Sequence, residues 1–246
     1  MINLTNLLPE NIASETARDH TFPLKLTIDS ALCIGAGGTT GSLADKAIVR
    51  NAEGNLVIPG SHLKGRLRHE SEKLACSLDW WVAEAPDPAA LSATVPPEFG
   101  HHGGTGSPYQ VAGYPGYHCA ISQIFGDPIL PSRLLLDDLV CEYSPDMLAA
   151  TTRPGVSINR RRRTAEEKKL FFLETSPANV QLPFKGELHL LAGAPPYTLG
   201  LVTAALRQIY ALGGSKSAGL GWLTWQQVPA IPADYDWTCL QAPSAS

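Results

Sequence analysis

The chain has 246 residues with 44% hydrophobic content, enough for a sizeable core, and a formal net charge of -4 that argues against holding nucleic acid by overall charge. No apolar run reaches the roughly 18 residues of a membrane span, and Met1 to His20 lacks the basic-then-apolar pattern of a secretory signal, so a cytoplasmic protein with no membrane partner is expected. Five cysteines, Cys33, Cys76, Cys119, Cys141 and Cys239, are odd in number and widely spread with no C-x-x-C pair, which reads as reduced thiols.

Leu24 to Ile34 (LKLTIDSALCI) alternates without Pro or Gly and is predicted to be a strand running into the flexible turn Gly35-Ala36-Gly37-Gly38. Val49 to Ile58 predicts a short strand or hairpin around Glu53-Gly54, ended by Pro59-Gly60. From Ser61, a good N-cap residue, Leu63, Leu67, Leu74 and Leu78 share one helical face, while Lys64, Arg66, Arg68 and Lys73 fall largely off it. Residues 81–118 are rich in Pro, Gly and Ala with little periodicity, as expected of an insertion or lid.

Order returns at Ser122 to Val140, with a strand predicted at Leu134 to Val140. Residues 151–179 are polar and charged, contain Arg160 to Arg163, and carry the apolar run Leu170 to Leu173, a pattern that predicts a protruding hairpin. Phe184 to Leu191 alternates as a strand, Thr198 to Leu212 is an apolar helix, Gly213 to Gly221 is a glycine-rich loop, and Leu223 to Val228 closes as a strand. Two strand-helix-strand units, each with a Gly-rich segment, point to an α+β, ferredoxin-like (RRM-like) topology, in one elaborated copy or two.

Cations gather at His62 to His69 (HLKGRLRH) and at Arg160 to Arg163, two local basic surfaces suited to one anionic strand along a defined track. The loop GGSKSAGLG lets backbone amides approach phosphate oxygens while Lys216 adds a point charge. It lacks the G-x-x-x-x-G-K-[ST] spacing and no helix follows it, which argues against a nucleoside triphosphate site; a plain helix-to-strand connector is the other reading. At Ile58 to Arg68, a serine cap, exposed amides and cations favour a phosphate through dipole and hydrogen bonds, and a solvated basic helix face fits the same residues.

The motifs LCIGAGG, LADKAIVRN and VIPGSHLKGRLR, within Leu32 to Arg68, resemble the RAMP superfamily proteins that form the helical backbone of type III CRISPR effector complexes. Gln123 to Asp127 with Leu136-Asp137-Asp138, then Val156 to Glu174, then GGSKSAGLG follow in the same order, so the resemblance runs from about Leu24 to Trp225. It implies one RAMP domain over 1–246, with the insertion at 81–118 and a thumb hairpin at 151–179.

The resemblance also implies site residues. Asp45 falls where target-cutting members carry the cleavage-site aspartate, suited to binding a divalent metal, expected to be Mg2+, or to acid-base work on the ribose 2'-hydroxyl; capping a turn or pairing with Lys46 or Arg50 is the structural alternative. Ser61, His62, Lys64, Arg66 and Arg68 would contact guide phosphates, together with Gly213, Gly214, Ser215, Lys216, Ser217 and Gly219. Asn159 and Arg160, Arg161, Arg162 and Arg163 would steady the thumb against guide and target strands.

Many relatives carry a cysteine-rich zinc site before the Phe-Gly motif. Here His101, His102, His118 and Cys119 could supply ligands for a structural Zn2+, without matching a tight signature. Cys33 stands where the family commonly has histidine. The implied function is a crRNA-binding backbone subunit that also cleaves guide-complementary single-stranded target RNA at regular intervals, an endoribonuclease partnered by neighbouring RAMP and other effector subunits in antiviral defence. A non-cleaving subunit of the same complex, or a stand-alone guide-processing endoribonuclease using His62 or His69, are the alternatives.

Overall fold

A computed structural model describes residues 19–36, 47–83, 109–110 and 116–240. Nine residues of alternating burial, His20–Ile28, form β1, and the sequence then supplies β2 (Gly35–Ala36), β3 (Ala47–Ile48), β4 (Val57–Ile58) and helix α1 (Gly60–Ser77). Next come β5 (Tyr109–Gln110), β6 (Tyr117–His118), α2 (Ala120–Phe125), β7 (Leu134–Leu136) and β8 (Leu139–Cys141). The last third contains β9 (Thr151–Asn159), β10 (Thr164–Thr175), β11 (Leu182–Leu190), α3 (Thr198–Gln208) and β12 (Leu223–Gln227).

One six-stranded antiparallel sheet runs β12-β1-β11-β8-β4, with β7 also paired to β11. Reading β1, α1, β7/β8, β11, α3 and β12 as a βαββαβ unit gives the spatial order fourth, first, third, second, with every neighbouring pair antiparallel. That is a single ferredoxin-like unit with β4 added at one edge, so the two predicted strand-helix-strand halves interlock in one sheet. Alternation decides the faces: Leu24, Leu26 and Ile28 of β1 and Leu182, Phe184, Leu188 and Leu190 of β11 are buried under α1 and α3, while Lys25, Lys185 and Glu187 lie on the opposite, exposed face. Leu63 and Leu67 from α1 and Val202, Ala205 and Leu206 from α3 complete the core, each large side chain contributing about 1.5–3 kcal/mol. None of the five cysteines forms a disulfide. Among the described residues no helix is long and apolar enough to cross a membrane.

Several boundaries differ from the sequence expectation for identifiable reasons. The first strand begins at His20 and stops at Ile28. Asp29 and Ser30 turn the chain out of the sheet: the Asp29 amide donates to the Trp222 carbonyl, and the Ser30 hydroxyl oxygen accepts from the Trp222 amide. Pro23 is tolerated inside β1 because β12 pairs only from Lys25 onward, so that flank needs no ladder bond there. The predicted strand at Leu134 to Val140 is split at Asp137-Asp138, where Asp138 accepts the Gly60 amide at 2.8 Å.

Helix α3 ends at Gln208 rather than Leu212, because Ile209 is extended and the chain from Tyr210 pairs back onto the start of β12. Ser61 does not cap α1: the cap lies two residues earlier at Pro59, which offers no side-chain bond of its own, and the Gly60 amide is met by Asp138 instead. Trp81 and Ala83, at the front of the predicted insertion, are core residues, while most of that segment lies outside the described residues.

Candidate functional site

The glycine-rich loop is closed by a short antiparallel stem in which Leu212 and Leu223 donate to Gly221 and Tyr210. A Cβ on Gly221 would lie 1.8 Å from the Leu212 carbonyl oxygen, and one on Gly213 would lie 2.5 Å from that of Cys33; both have φ in the left-handed region. These glycines are therefore required by close backbone approach as well as conformation. Six of the loop's amides are bound inward, Gly213 to His62, Gly214 to Cys33, Gly221 to Ala31, and Ala218, Gly219 and Leu220 within the loop. Ser215, itself left-handed at φ 55°, leads into a single 3-10 turn at Lys216–Ala218. The amides of Ser215, Lys216 and Ser217 have no backbone partner among the described residues, and all three residues are exposed. Three successive unpaired donors beside an ammonium group suit a phosphate.

His62 ties this loop to the start of α1. Its Nε2 accepts the Gly213 N–H at 3.0 Å, which requires the neutral ring with its proton on Nδ1. Burial, and then the nearby positive charges of Lys216 and Arg66, lower its pKa from the usual value and hold that form.

The segment leaving β1 links the loop to the hairpin. Leu32 and Ser176 bond reciprocally, the Leu32 amide to the Ser176 hydroxyl at 2.8 Å and the Ser176 amide to the Leu32 carbonyl at 2.9 Å. Ala31, Cys33 and Leu220 form a small apolar cluster with Leu173 of β10, and Glu174 accepts the Ile48 amide at 3.0 Å. The start of α1, the glycine loop, the turn at 31–36, β3 and the base of the β9–β10 hairpin therefore form one junction.

From this base the two-stranded hairpin extends roughly 25 Å, taking eight rises of a strand. Thr164 pairs with Asn159, so Arg160 to Arg163 are the turn itself, and all four are exposed. Asn159 organises the turn: its Oδ1 accepts from the amides of Arg161 and Arg162, and its carbonyl accepts from Arg163, which takes the left-handed conformation. Glu166 to Lys169 bulge out of the ladder between Ala165 and Leu170.

A family model described as the RAMP superfamily matches residues 25–224, most of the chain and every element of the junction. This chain belongs to the RAMP superfamily. The family is one of CRISPR-associated RNA-binding proteins, and the ferredoxin-like sheet is the fold expected for it. No curated protein matches the chain.

In this RAMP protein the expected RNA contacts separate into two groups. Ser61, His62 and the loop residues Gly213, Gly214, Ser215, Lys216, Ser217 and Gly219 gather at the junction, and Asn159 to Arg163 stand at the hairpin tip. The cations farther along α1 are engaged by the protein itself: Lys64 with Ser132 at 2.8 Å, Arg66 with Glu70 at 2.6 Å, and Arg68 with Glu72 at 3.0 Å and the Gly126 carbonyl at 3.1 Å. Burial and the neighbouring Arg68 charge also lower the Lys64 pKa. Asp45, His101 and His102 lie outside the described residues.

His118 and Cys119 are both buried. His118 Nδ1 is 2.6 Å from Asp127, whose pKa burial raises but the bonds from His118 and from the Leu130 and Ile129 amides lower on balance. Cys119 Sγ accepts the Ser122 amide and caps α2.

Sequence reasoning missed Glu174 and Ser176, which join the hairpin to the turn after β1. It also missed Asp137, Glu187 and His189, whose ligand atoms lie within 4.8 Å of one another. His189 Nε2 is 3.2 Å from Asp137, and its Nδ1 is 2.9 Å from the Thr21 hydroxyl. The group sits on the sheet face opposite the helices, and Glu187-Leu188-His189 was the available cue, because alternate strand positions share a face. Exposed pairs of this kind form in water without an ion, at a gain of about 0–1 kcal/mol.

Proposed function

We propose that this RAMP protein is a guide-RNA-holding backbone subunit of a type III CRISPR effector, and that it cleaves target RNA paired with the guide. The observation that carries the holding role is the junction itself: three successive free amides and Lys216 are fixed beside the α1 start by the His62–Gly213 bond, with an arginine-tipped hairpin rooted in the same place. Phosphate recognition by backbone donors is independent of base sequence, as a subunit that accepts any guide requires. The arginine tip would reach along the duplex, where guanidinium groups pair with phosphates and stack on bases.

Cleavage rests on the family resemblance at Asp45, which precedes β3 by two residues. As a general base or metal ligand, Asp45 would promote attack of a ribose 2'-hydroxyl on the adjacent phosphodiester. A divalent metal bound there would stabilise charge on the phosphate. The stand-alone processing alternative loses one of its two candidate histidines, because His62 Nε2 is occupied by the Gly213 amide, which leaves His69.

The test is cleavage of a guide-complementary RNA by the assembled complex containing wild-type or Asp45→Ala chain. Loss of cutting with guide retention supports the full reading. Equal cutting rates overturn the catalytic role and leave holding intact, and an assembly purified without RNA or companion subunits overturns both.

A further inference from the structure

Among the described residues, an exposed aromatic surface beside the glycine loop takes no part in phosphate binding. Tyr210 and Trp222, at the two ends of the glycine loop's stem, are 57% and 48% exposed, and their rings pack on each other at 5.5 Å between centroids. A second aromatic pair, half-buried Tyr235 with exposed Trp237, is absorbed by the fold, since Tyr235 packs on the core and its hydroxyl accepts from the Gly200 amide and the Cys239 thiol. Tyr210 and Trp222 instead leave large ring area in water immediately beside the loop.

Their backbone is rigidly set. Ala211 bridges to Trp222, Leu223 donates to Tyr210, and both polar backbone groups of Trp222 are bonded to Asp29 and Ser30. Two cations flank the pair in sequence, Arg207 exposed in the last turn of α3 and Lys216 exposed in the loop, and no acid occurs between 207 and 222. The nearest acid in the bonding network, Asp29, has its carboxylate engaged by Thr224 and Gln181.

We infer that Tyr210 and Trp222 form a stacking platform for an unpaired RNA base adjoining the phosphate held by the glycine loop. The inference rests on the RNA-holding reading and adds a base contact that the phosphate site does not provide. An aromatic face accepts any base, so the platform would add affinity without imposing sequence. Exposed Arg207 and Lys216, which outnumber the one neighbouring acid, Asp29, favour a polyanion over an apolar protein surface.

The test measures binding of the full chain to short single-stranded oligoadenylate and to an abasic ribose-phosphate strand of equal length. Trp222→Ala is expected to weaken oligoadenylate binding roughly ten-fold, within the range for one stacked base, and to leave the abasic strand unaffected. Trp222→Phe should retain most of the affinity, and Lys216→Ala should weaken both strands. If the wild type binds oligoadenylate but Trp222→Ala and Tyr210→Ala bind it equally well, the platform is overturned while RNA holding stands. Unchanged RNA binding with altered self-association in sedimentation would assign the pair to a protein contact and also overturn it. If the wild type binds neither strand, the RNA-holding reading falls and the platform with it.

Discussion

The glycine-loop junction and the hairpin tip meet the same expected ligand by opposite physical means. At the junction, inward hydrogen bonds from six loop amides fix the shape, and one ammonium group adds charge. At the tip, four adjacent guanidinium groups supply the charge on a ribbon only two strands wide. Preorganised donors bind with little ordering cost, whereas clustered cations repel one another until a polyanion arrives. The junction should therefore govern folding and geometry, and the tip should govern affinity and its salt dependence.

The largest stability effect should come from Gly221→Ala, which puts a Cβ against the Leu212 carbonyl and forces a left-handed residue; a loss of roughly 2–4 kcal/mol is expected in urea unfolding. Gly219→Ala, with φ +84° but open space around it, should cost only about 1–2 kcal/mol. Equal losses at both positions would mean that the close contact at Gly221 relaxes, and the junction would be softer than described.

Replacing Arg160 to Arg163 together by alanine should leave stability within about 0.5 kcal/mol, because all four are exposed. RNA affinity should fall, and the slope of log K against log salt should flatten by roughly 0.7 for each arginine that engages a single-strand phosphate. An unchanged slope would remove the tip from the RNA track.

Ser176→Ala leaves the buried Leu32 amide without its acceptor and should cost about 1–3 kcal/mol, uncoupling the hairpin base from the turn after β1. His62 gives the smallest effect and a pH signature. Its pKa is lowered in the folded state, so its contribution is present above the unfolded value near 6.5 and is lost as pH falls through the folded value. Acidification below about pH 6.5 should destabilise the wild type more than His62→Gln, which offers an acceptor to Gly213 without titrating. Parallel pH profiles would show that the ring is not held neutral.

The elements with the strongest patterns were legible in the sequence. Alternation found β11 and most of β1, helical spacing found α1 and α3, and the charged stretch with Leu170 to Leu173 marked the hairpin. The errors fell where a distant partner decides. Asp29, Ser30 and Asp138 end or split strands through bonds to residues remote in sequence, and Pro59 rather than Ser61 precedes α1 because Asp138 supplies the first amide's acceptor. At the site, residue types and the i,i+4 pairs Arg66–Glu70 and Arg68–Glu72 were readable from helical spacing, but the long-range pairing was not: no local pattern shows that Lys64 reaches Ser132, that Arg68 reaches the Gly126 carbonyl, or that His62 reaches Gly213. Single-sequence logic identifies donors, and only the fold shows which remain available.

The turn at the end of the hairpin is shaped by Asn159 and by the backbone at position 163, and its four side chains take no part in forming it. The arginines can thus be exchanged singly without rebuilding the turn, with glycine the best-tolerated replacement at Arg163, whereas loss of Asn159 would unsettle all four at once. On the proposed RNA-holding role, such a division would let the reach and grip of the tip change through point substitutions while its mount stays constant.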